Sequence, residues 1–233
     1  MPGELKSIVL VHGAWHGSWC WERVVPLLEQ QGFTVRAVDL PSTGIDPPSG
    51  VDLSADATEV RSAIEGMPGD VLVCGHSYGG MVISHPLVGA HPRVARLVYV
   101  CAFMPDRGQS LLAIGDGKPA PWIRMDERGM TLPDLDRAAE LFFADCDPQT
   151  QRWAIGRLRR QPSAPYAEPI ADPAWMHIPS TYIVCTQDRV MPPELQRGLF
   201  APRTGRVYEL EASHSPFLSR PQELTGILAG CGR

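Results

Sequence analysis

The stretch Gly75-His76-Ser77-Tyr78-Gly79-Gly80 narrows the folds open to this chain more than any other feature; it follows the apolar run Val71–Cys74 and precedes a helical pattern starting near Met81. A G-x-S-x-G segment set between a strand and a helix makes a turn so sharp that its serine is forced into a strained backbone conformation. Glycines two residues to either side are required, because a Cβ at those positions would meet neighbouring backbone. The pattern therefore predicts that Ser77 stands at the carboxyl end of a buried strand with its hydroxyl presented.

Other runs repeat this rhythm. Ser7–Val11, Thr34–Val38, Leu97–Cys101, Thr181–Cys185 and Arg206–Leu210 are short, apolar and β-branched. Because they are nearly continuous rather than alternating, they read, with Val71–Cys74, as fully buried parallel strands. Helical stripes lie between them. One comprises Trp21, Val24, Val25, Leu27 and Leu28 before Gly32, another Leu53, Ala57, Val60 and Ile64 before Gly66. Strand–helix alternation implies an α/β fold with a mostly parallel sheet flanked by helices. From Pro105 to about His177 the rhythm stops: no buried-strand run occurs, prolines are frequent, and large apolar residues sit at loose helical spacing. So long an excursion predicts an inserted, mainly helical cap over residues 105–177, on a core formed by 1–104 and 178–233.

The chain has 233 residues, which suffices for one domain with a sizeable core. Its net charge of −5 lacks the basic footprint of a nucleic-acid binder. The one basic cluster, Arg157 to Arg160, reads as a solvated helix face. Met1 to Leu5 carry no basic stretch leading into a long apolar run, and no window approaches the roughly 18 apolar residues of a membrane span. A cytoplasmic protein with no nucleic-acid or membrane partner is expected, and a homodimer is left open. The six cysteines are scattered without metal-binding or disulfide spacing, and Cys74, Cys101 and Cys185 read as small buried hydrophobes. No cofactor and no metal is called for.

A serine hydroxyl needs a base to take its proton, and that base needs a third group to hold its tautomer. Asp188 follows the run Thr181–Cys185, and His214 follows Arg206–Leu210, each just past a strand end and in the order serine, acid, histidine. The rivals are less well placed. His85, His91 and His177 have no strand-end position; His12 and His76 precede the acid and read as loop-shaping residues; His16 reads as a pocket wall. Asp172 and Glu194 fit less well than Asp188, and Glu211 is too close in sequence to His214 to orient its ring. A second signature, His12-Gly13-Ala14-Trp15-His16-Gly17, follows the first strand. Acyl transfer needs N–H donors aimed at the oxyanion, one from the residue after the nucleophile and one from this first loop, which points to Tyr78 and Ala14.

The sequence Leu10-Val11-His12-Gly13-Ala14-Trp15-His16-Gly17-Ser18-Trp19 resembles the opening of the plant methylesterase and hydroxynitrile lyase family and its bacterial esterase relatives, within the α/β-hydrolase superfamily. Val38-Asp39-Leu40-Pro41, the serine turn, Ala102-Phe103-Met104-Pro105-Asp106, Thr186-Gln187-Asp188 and Ser213-His214 follow in the same order. The resemblance spans the core but not the cap. It implies the α/β-hydrolase fold and the same assignments, Ser77, Asp188 and His214 with Ala14 and Tyr78 as oxyanion donors. The lyases of that family place a threonine after the first-loop histidine and a lysine after the catalytic histidine. Here those positions hold Gly13 and Ser215, which disfavours cyanohydrin cleavage and favours hydrolysis of a small-molecule ester.

Gly13, Trp15, Phe103, Met104, Trp122 and Met125, with Tyr78, are the expected substrate contacts, forming an apolar, partly aromatic pocket for small esters of hydrophobic or aromatic acids. Two other readings stay open at this point: a natural-product tailoring hydrolase, thioesterase or cyclase, and a small-molecule receptor with little turnover.

Overall fold

The computed structural model describes residues 5–48, 50–115 and 117–232. Among these residues nine strands follow in chain order: β1 Ser7–Val11, β2 Thr34–Ala37, β3 Val71–His76, β4 Val94–Val100, β5 Ile123–Met125, β6 Met130–Pro133, β7 Gln161–Pro162, β8 Ser180–Cys185 and β9 Arg206–Leu210. Six of them form one sheet in the order β2-β1-β3-β4-β8-β9, with every pairing parallel. Its register sets Val11 beside Gly75, His76 beside Val100, Val100 beside Ile183, and Cys185 beside Leu210. The carboxyl ends of the central strands thus lie level. The loops that follow β3, β8 and β9, carrying Ser77, Asp188 and His214, emerge at the same, carboxyl end of the sheet.

The inner strands are out of solvent along nearly their whole length, as continuous apolar runs require. The runs at Thr34 and Arg206 depart from the expectation of full burial. They become the two edge strands, where Thr34, Arg36, Arg206, Val207 and Glu209 face water. Apolar content alone does not separate an edge from a centre, because strand order is set by tertiary packing.

The helix Leu53–Glu65 presents Leu53, Ala57, Val60 and Ile64 to the sheet, all fully buried. Burial of each of Leu53, Val60 and Ile64 contributes on the order of 1.5–3 kcal/mol. Asp52 caps its start by accepting from Ala55 N–H at 2.8 Å. The earlier stripe is divided between a 3₁₀ turn, Ser18–Trp21, and the helix Val25–Gln30; Trp21, Val24 and Leu28 are fully buried, Val25 and Leu27 half-buried.

Between β4 and β8 the chain forms the helices Leu111–Ile114, Leu135–Phe142, Pro148–Ile155 and Ala164–Ala167. It also forms a small antiparallel sheet, β5-β6-β7, where the sequence reading expected no strand. These strands are two to four residues long, too short to register as apolar runs. The β5–β6 hairpin turns on Asp126, whose Oδ1 accepts from Arg128 and Met130 N–H, and on Gly129 at φ 73°.

Arg157 to Arg160 correct another expectation. They lie beyond the helix Pro148–Ile155, after its cap residue Gly156, and form no solvated helix face. Arg157 packs over Trp153, Arg159 reaches Asp39 at 2.9 Å, and Arg160 bonds Asp126. All six cysteines are free thiols, and all but Cys146 are buried. Among the described residues no helix is long and apolar enough to cross a membrane.

Candidate active site

Ser77 has φ 51°, one of four positive-φ positions held by residues other than glycine among the described residues. Strand β3 runs straight into it, and the helix Gly79–Ser84 starts two residues later. The neighbouring glycines are sterically required. A Cβ on Gly75 would lie 2.6 Å from the Gly79 carbonyl oxygen, and one on Gly79 would lie 2.7 Å from that of His12. The turn is pinned because Ser77 N–H donates to Val100 and Ser77 C=O accepts from Gly80 and Phe103 N–H. The surrounding fold over-determines the strained conformation, so it persists.

On the loop after β9, His214 brings Nδ1 to 2.8 Å from Asp188 Oδ2, with both side chains essentially out of solvent. Asp188 is itself immobilised. Its Oδ1 accepts from Val190 and Met191 N–H at 2.8 and 2.9 Å, and its Oδ2 also accepts from Gln196 Nε2 at 3.1 Å. The carboxylate thus holds the imidazole by Nδ1, which leaves Nε2 as the proton-accepting nitrogen. The residue before it, Ser213, is held by Asp145, which accepts from both its N–H and its hydroxyl.

Three further histidines pack behind the site, all neutral because burial outweighs every favourable contact. His12 is pushed down to about 4, and its Nε2 accepts from Leu40 N–H. His16 is pushed down to about 3, and its Nδ1 bonds the Ala14 carbonyl. His76 lies well below the usual range and donates from Nε2 to the His214 carbonyl at 2.7 Å. These contacts shape loops, as expected for His12 and His76. His16 stacks on Trp19 and does not border the cavity.

His76, Cys101 and His214 bring ligand-type atoms within 4.8 Å of one another. Burial pushes the Cys101 thiol far up, and its Sγ and His76 Nε2 both point at the His214 carbonyl oxygen. That protonated, donating arrangement is ill suited to a cation.

Ala14 and Tyr78 N–H have no acceptor within the protein among the described residues, whereas Trp15 N–H donates to Gln161 Oε1 at 3.1 Å. Beside Ala14, Tyr78 and Ser77 opens a cavity of about 210 Å³. Trp15, Phe103 and Trp122 border it, as the sequence suggested, and so do Leu111, Leu112, Ile123, Tyr166 and Val190, which it did not single out. Three expected contacts fall elsewhere. Met104 is wholly buried away from the cavity, Met125 is 62% exposed on the short strand β5, and Gly13 packs against His76 and Ser77 behind the opening. Gln161, Gln196 and Asp145 carried no signal in the sequence, since lone polar residues in loops and helices are common everywhere.

The polar atoms bordering the cavity are mostly engaged elsewhere. Trp15 Nε1 donates to Thr131, Tyr78 hydroxyl to Asp56 and Tyr166 hydroxyl to Gln161. The site therefore combines a serine hydroxyl bordering the cavity, an imidazole–carboxylate pair and two free N–H groups with an apolar chamber.

Comparison with known proteins gives a consistent picture. The alpha/beta hydrolase family model matches residues 8–226. Alpha/beta hydrolase nvfD of Aspergillus novofumigatus is 29% identical over 230 residues, covering 92% of either chain. Methylesterase 1 of Arabidopsis thaliana is 29% identical, covering 94% of this chain and 93% of that protein. The crystal structure of a pyrethroid hydrolase from Sphingobium faniae JZ-2 is 29% identical with a TM-score of 0.87, covering 98% of this chain and 97% of that one.

Proposed function

Because the chain belongs to the alpha/beta hydrolase family, we propose that it is a serine esterase, cleaving carboxylic esters of small hydrophobic or aromatic substrates through an acyl-Ser77 intermediate. The observation that carries the reading is Ser77 at φ 51° on the wall of the apolar cavity, with the His214–Asp188 pair on the loops after β8 and β9 at the same end of the sheet.

In the first half-reaction His214 Nε2 takes the Ser77 proton as Oγ attacks the ester carbonyl carbon. The negative charge on the carbonyl oxygen is met by Ala14 and Tyr78 N–H, each such donor being worth about 2.7–4 kcal/mol in the transition state. The imidazolium, stabilised by Asp188, returns its proton to the departing alcohol. Water then attacks the acyl carbon with His214 again as base, and Ser77 is released.

The chamber argues for an apolar group on the substrate. An apolar cavity near 150 Å³ holds a benzene ring, so about 210 Å³ accommodates a ring with a substituent. Among the described residues Lys118 is the one charged residue bordering it, and it is exposed. We read residues 105–177 as a cap on the core of 1–104 and 178–233, because that segment supplies Leu111, Leu112, Trp122, Ile123 and Tyr166 to the cavity. The names of the relatives, a methylesterase and a pyrethroid hydrolase, point to ester cleavage as well. Lyase chemistry finds no support: a Cβ at Gly13 would lie 2.8 Å from His76 Nδ1 and 2.9 Å from Ser77 Cβ, so the threonine of the lyases would displace a neighbour, and Ser215 is a buried, neutral hydroxyl.

The test is hydrolysis of p-nitrophenyl and methyl aryl esters by wild type and Ser77→Ala, sampled early enough to see an acyl-enzyme burst. Turnover and burst that vanish in a folded Ser77→Ala protein are expected. Equal turnover by that variant would overturn the mechanism.

A further inference from the structure

Trp15 has φ 62°, a conformation that costs a bulky residue on the order of 1–3 kcal/mol. Each of its polar groups is bound by the segment lying between β4 and β8. Its N–H donates to Gln161 Oε1 at 3.1 Å, its C=O accepts from Arg159 N–H at 2.7 Å, and its indole N–H donates to Thr131 Oγ1 at 3.0 Å. Its ring packs edge-on against Trp122, Phe142 and Tyr166 of the same segment. No core residue hydrogen-bonds it among the described residues.

The orientation of Gln161 is settled by its neighbours. With Asp56 ionised, Ser42 Oγ donates to Asp56 Oδ2 and so accepts from Gln161 Nε2, which lies 2.8 Å away. That directs Oε1 at two donors, Trp15 N–H and the Tyr166 hydroxyl. Asp56 is the titratable group facing this network in wild type and variants alike. Gln161 is completely buried, so an acceptor removed there is not replaced by bulk water. Thr131 Oγ1 is fixed in the same way, donating to the Gln161 carbonyl while accepting from the indole.

We infer that Gln161 and Thr131 are positioning residues for the oxyanion hole, holding Trp15 in its strained conformation so that the adjoining Ala14 N–H faces the reacting carbonyl only while the cap is seated. This rests on the esterase reading above. Released from Gln161, Trp15 would relax toward negative φ and rotate the loop that carries Ala14. A misplacement of about 1 Å at reacting groups can cost 10²-fold in rate.

The experiment compares wild type with Gln161→Met, Gln161→Glu and Thr131→Val on one p-nitrophenyl ester, with thermal unfolding of each and a crystal structure of Gln161→Met. Gln161→Met should lower kcat by about 10- to 100-fold while KM moves less than about threefold. Gln161→Glu retains the shape of the side chain. Its protonated carboxyl can both donate to Ser42 and accept from Trp15, so its kcat relative to wild type should be highest at acid pH and fall as pH rises. In the Gln161→Met crystal, Trp15 should leave positive φ. Variants that melt lower but keep kcat within twofold of wild type, or a Trp15 that stays near its present φ without Gln161, would overturn the inference. If wild type shows no Ser77-dependent turnover, the esterase reading fails, and the Trp15 conformation in the variant crystal still decides the coupling.

Discussion

Asp188 Oδ2 and His214 Nδ1 lie 2.8 Å apart, and the carboxylate is clamped by two backbone N–H groups on Oδ1 and by the Gln196 amide on Oδ2, so the imidazole is offered one fixed partner. Replacing Asp188 by Asn would place an amide donor or a mismatched oxygen against Nδ1 and favour the wrong tautomer. The expected loss in kcat is about 10⁴-fold with the fold retained, read by ester hydrolysis alongside circular dichroism. A loss below tenfold would mean that another acid orients His214.

Acid stability follows from the buried histidines. His12, His16 and His76 are neutral in the folded state, with burial taking the first two from 6.5 to about 4 and about 3 and the third well below 6.5. Because each is depressed below its unfolded value, the stability it contributes is complete above pH 6.5 and is lost as pH falls below it, at about 1.4 kcal/mol per pH unit for each group. Asp56 acts oppositely. Burial raises it from 3.8 to about 6 despite its hydrogen bonds from Ser42 and Tyr78, so its contribution is complete at low pH and lost as pH rises through 6. Three groups against one leave a net loss of stability on acidification between pH 6 and 4. Urea midpoints measured across that range should fall with pH, and Asp56→Asn should steepen the fall. A flat profile would contradict both assignments.

Trp122 belongs to the cavity wall and Met125 to the surface. Trp122 lines the chamber, edge-on to Trp15 at 5.8 Å, while Met125 is 62% exposed. Trp122→Ala should shift relative kcat/KM toward esters of bulkier acids by about tenfold or more. Met125→Ala should leave it within about twofold. The same panel of acyl chain lengths reads both.

Gly79 tests the serine turn without touching its chemistry. An added Cβ would lie 2.7 and 2.8 Å from the carbonyl oxygens of His12 and Val11, both backbone atoms of the first strand and loop. Gly79→Ala should cost about 1–3 kcal/mol through overpacking, seen as a lower urea midpoint. Unchanged stability would mean that the turn tolerates a wider separation from β1.

Much of the core was legible because its signals are local. Four residues of continuous apolar sequence before Gly75 mark a buried strand, and glycines flanking Ser77 mark a turn that excludes a Cβ. Placement just past strand ends marked Asp188 and His214. The edge character of β2 and β9 stayed hidden, since a run of the same composition serves either position until its neighbours are known. Hairpin β5–β6 stayed hidden because three and four residues carry too little periodicity.

By itself, the sequence determined the strand–turn–helix around Ser77 and the order of serine, acid and histidine, because backbone strain and apolar continuity act over a few residues. Only the tertiary structure decided which residues wall the cavity and what holds Trp15. Gln161 meets Trp15 across 146 positions of chain and Thr131 meets it across 116, so neither contact is written in any local pattern. Lone polar side chains acquire such roles only when burial removes water as an alternative partner, and burial there exists only once the segment between β4 and β8 has packed against the core.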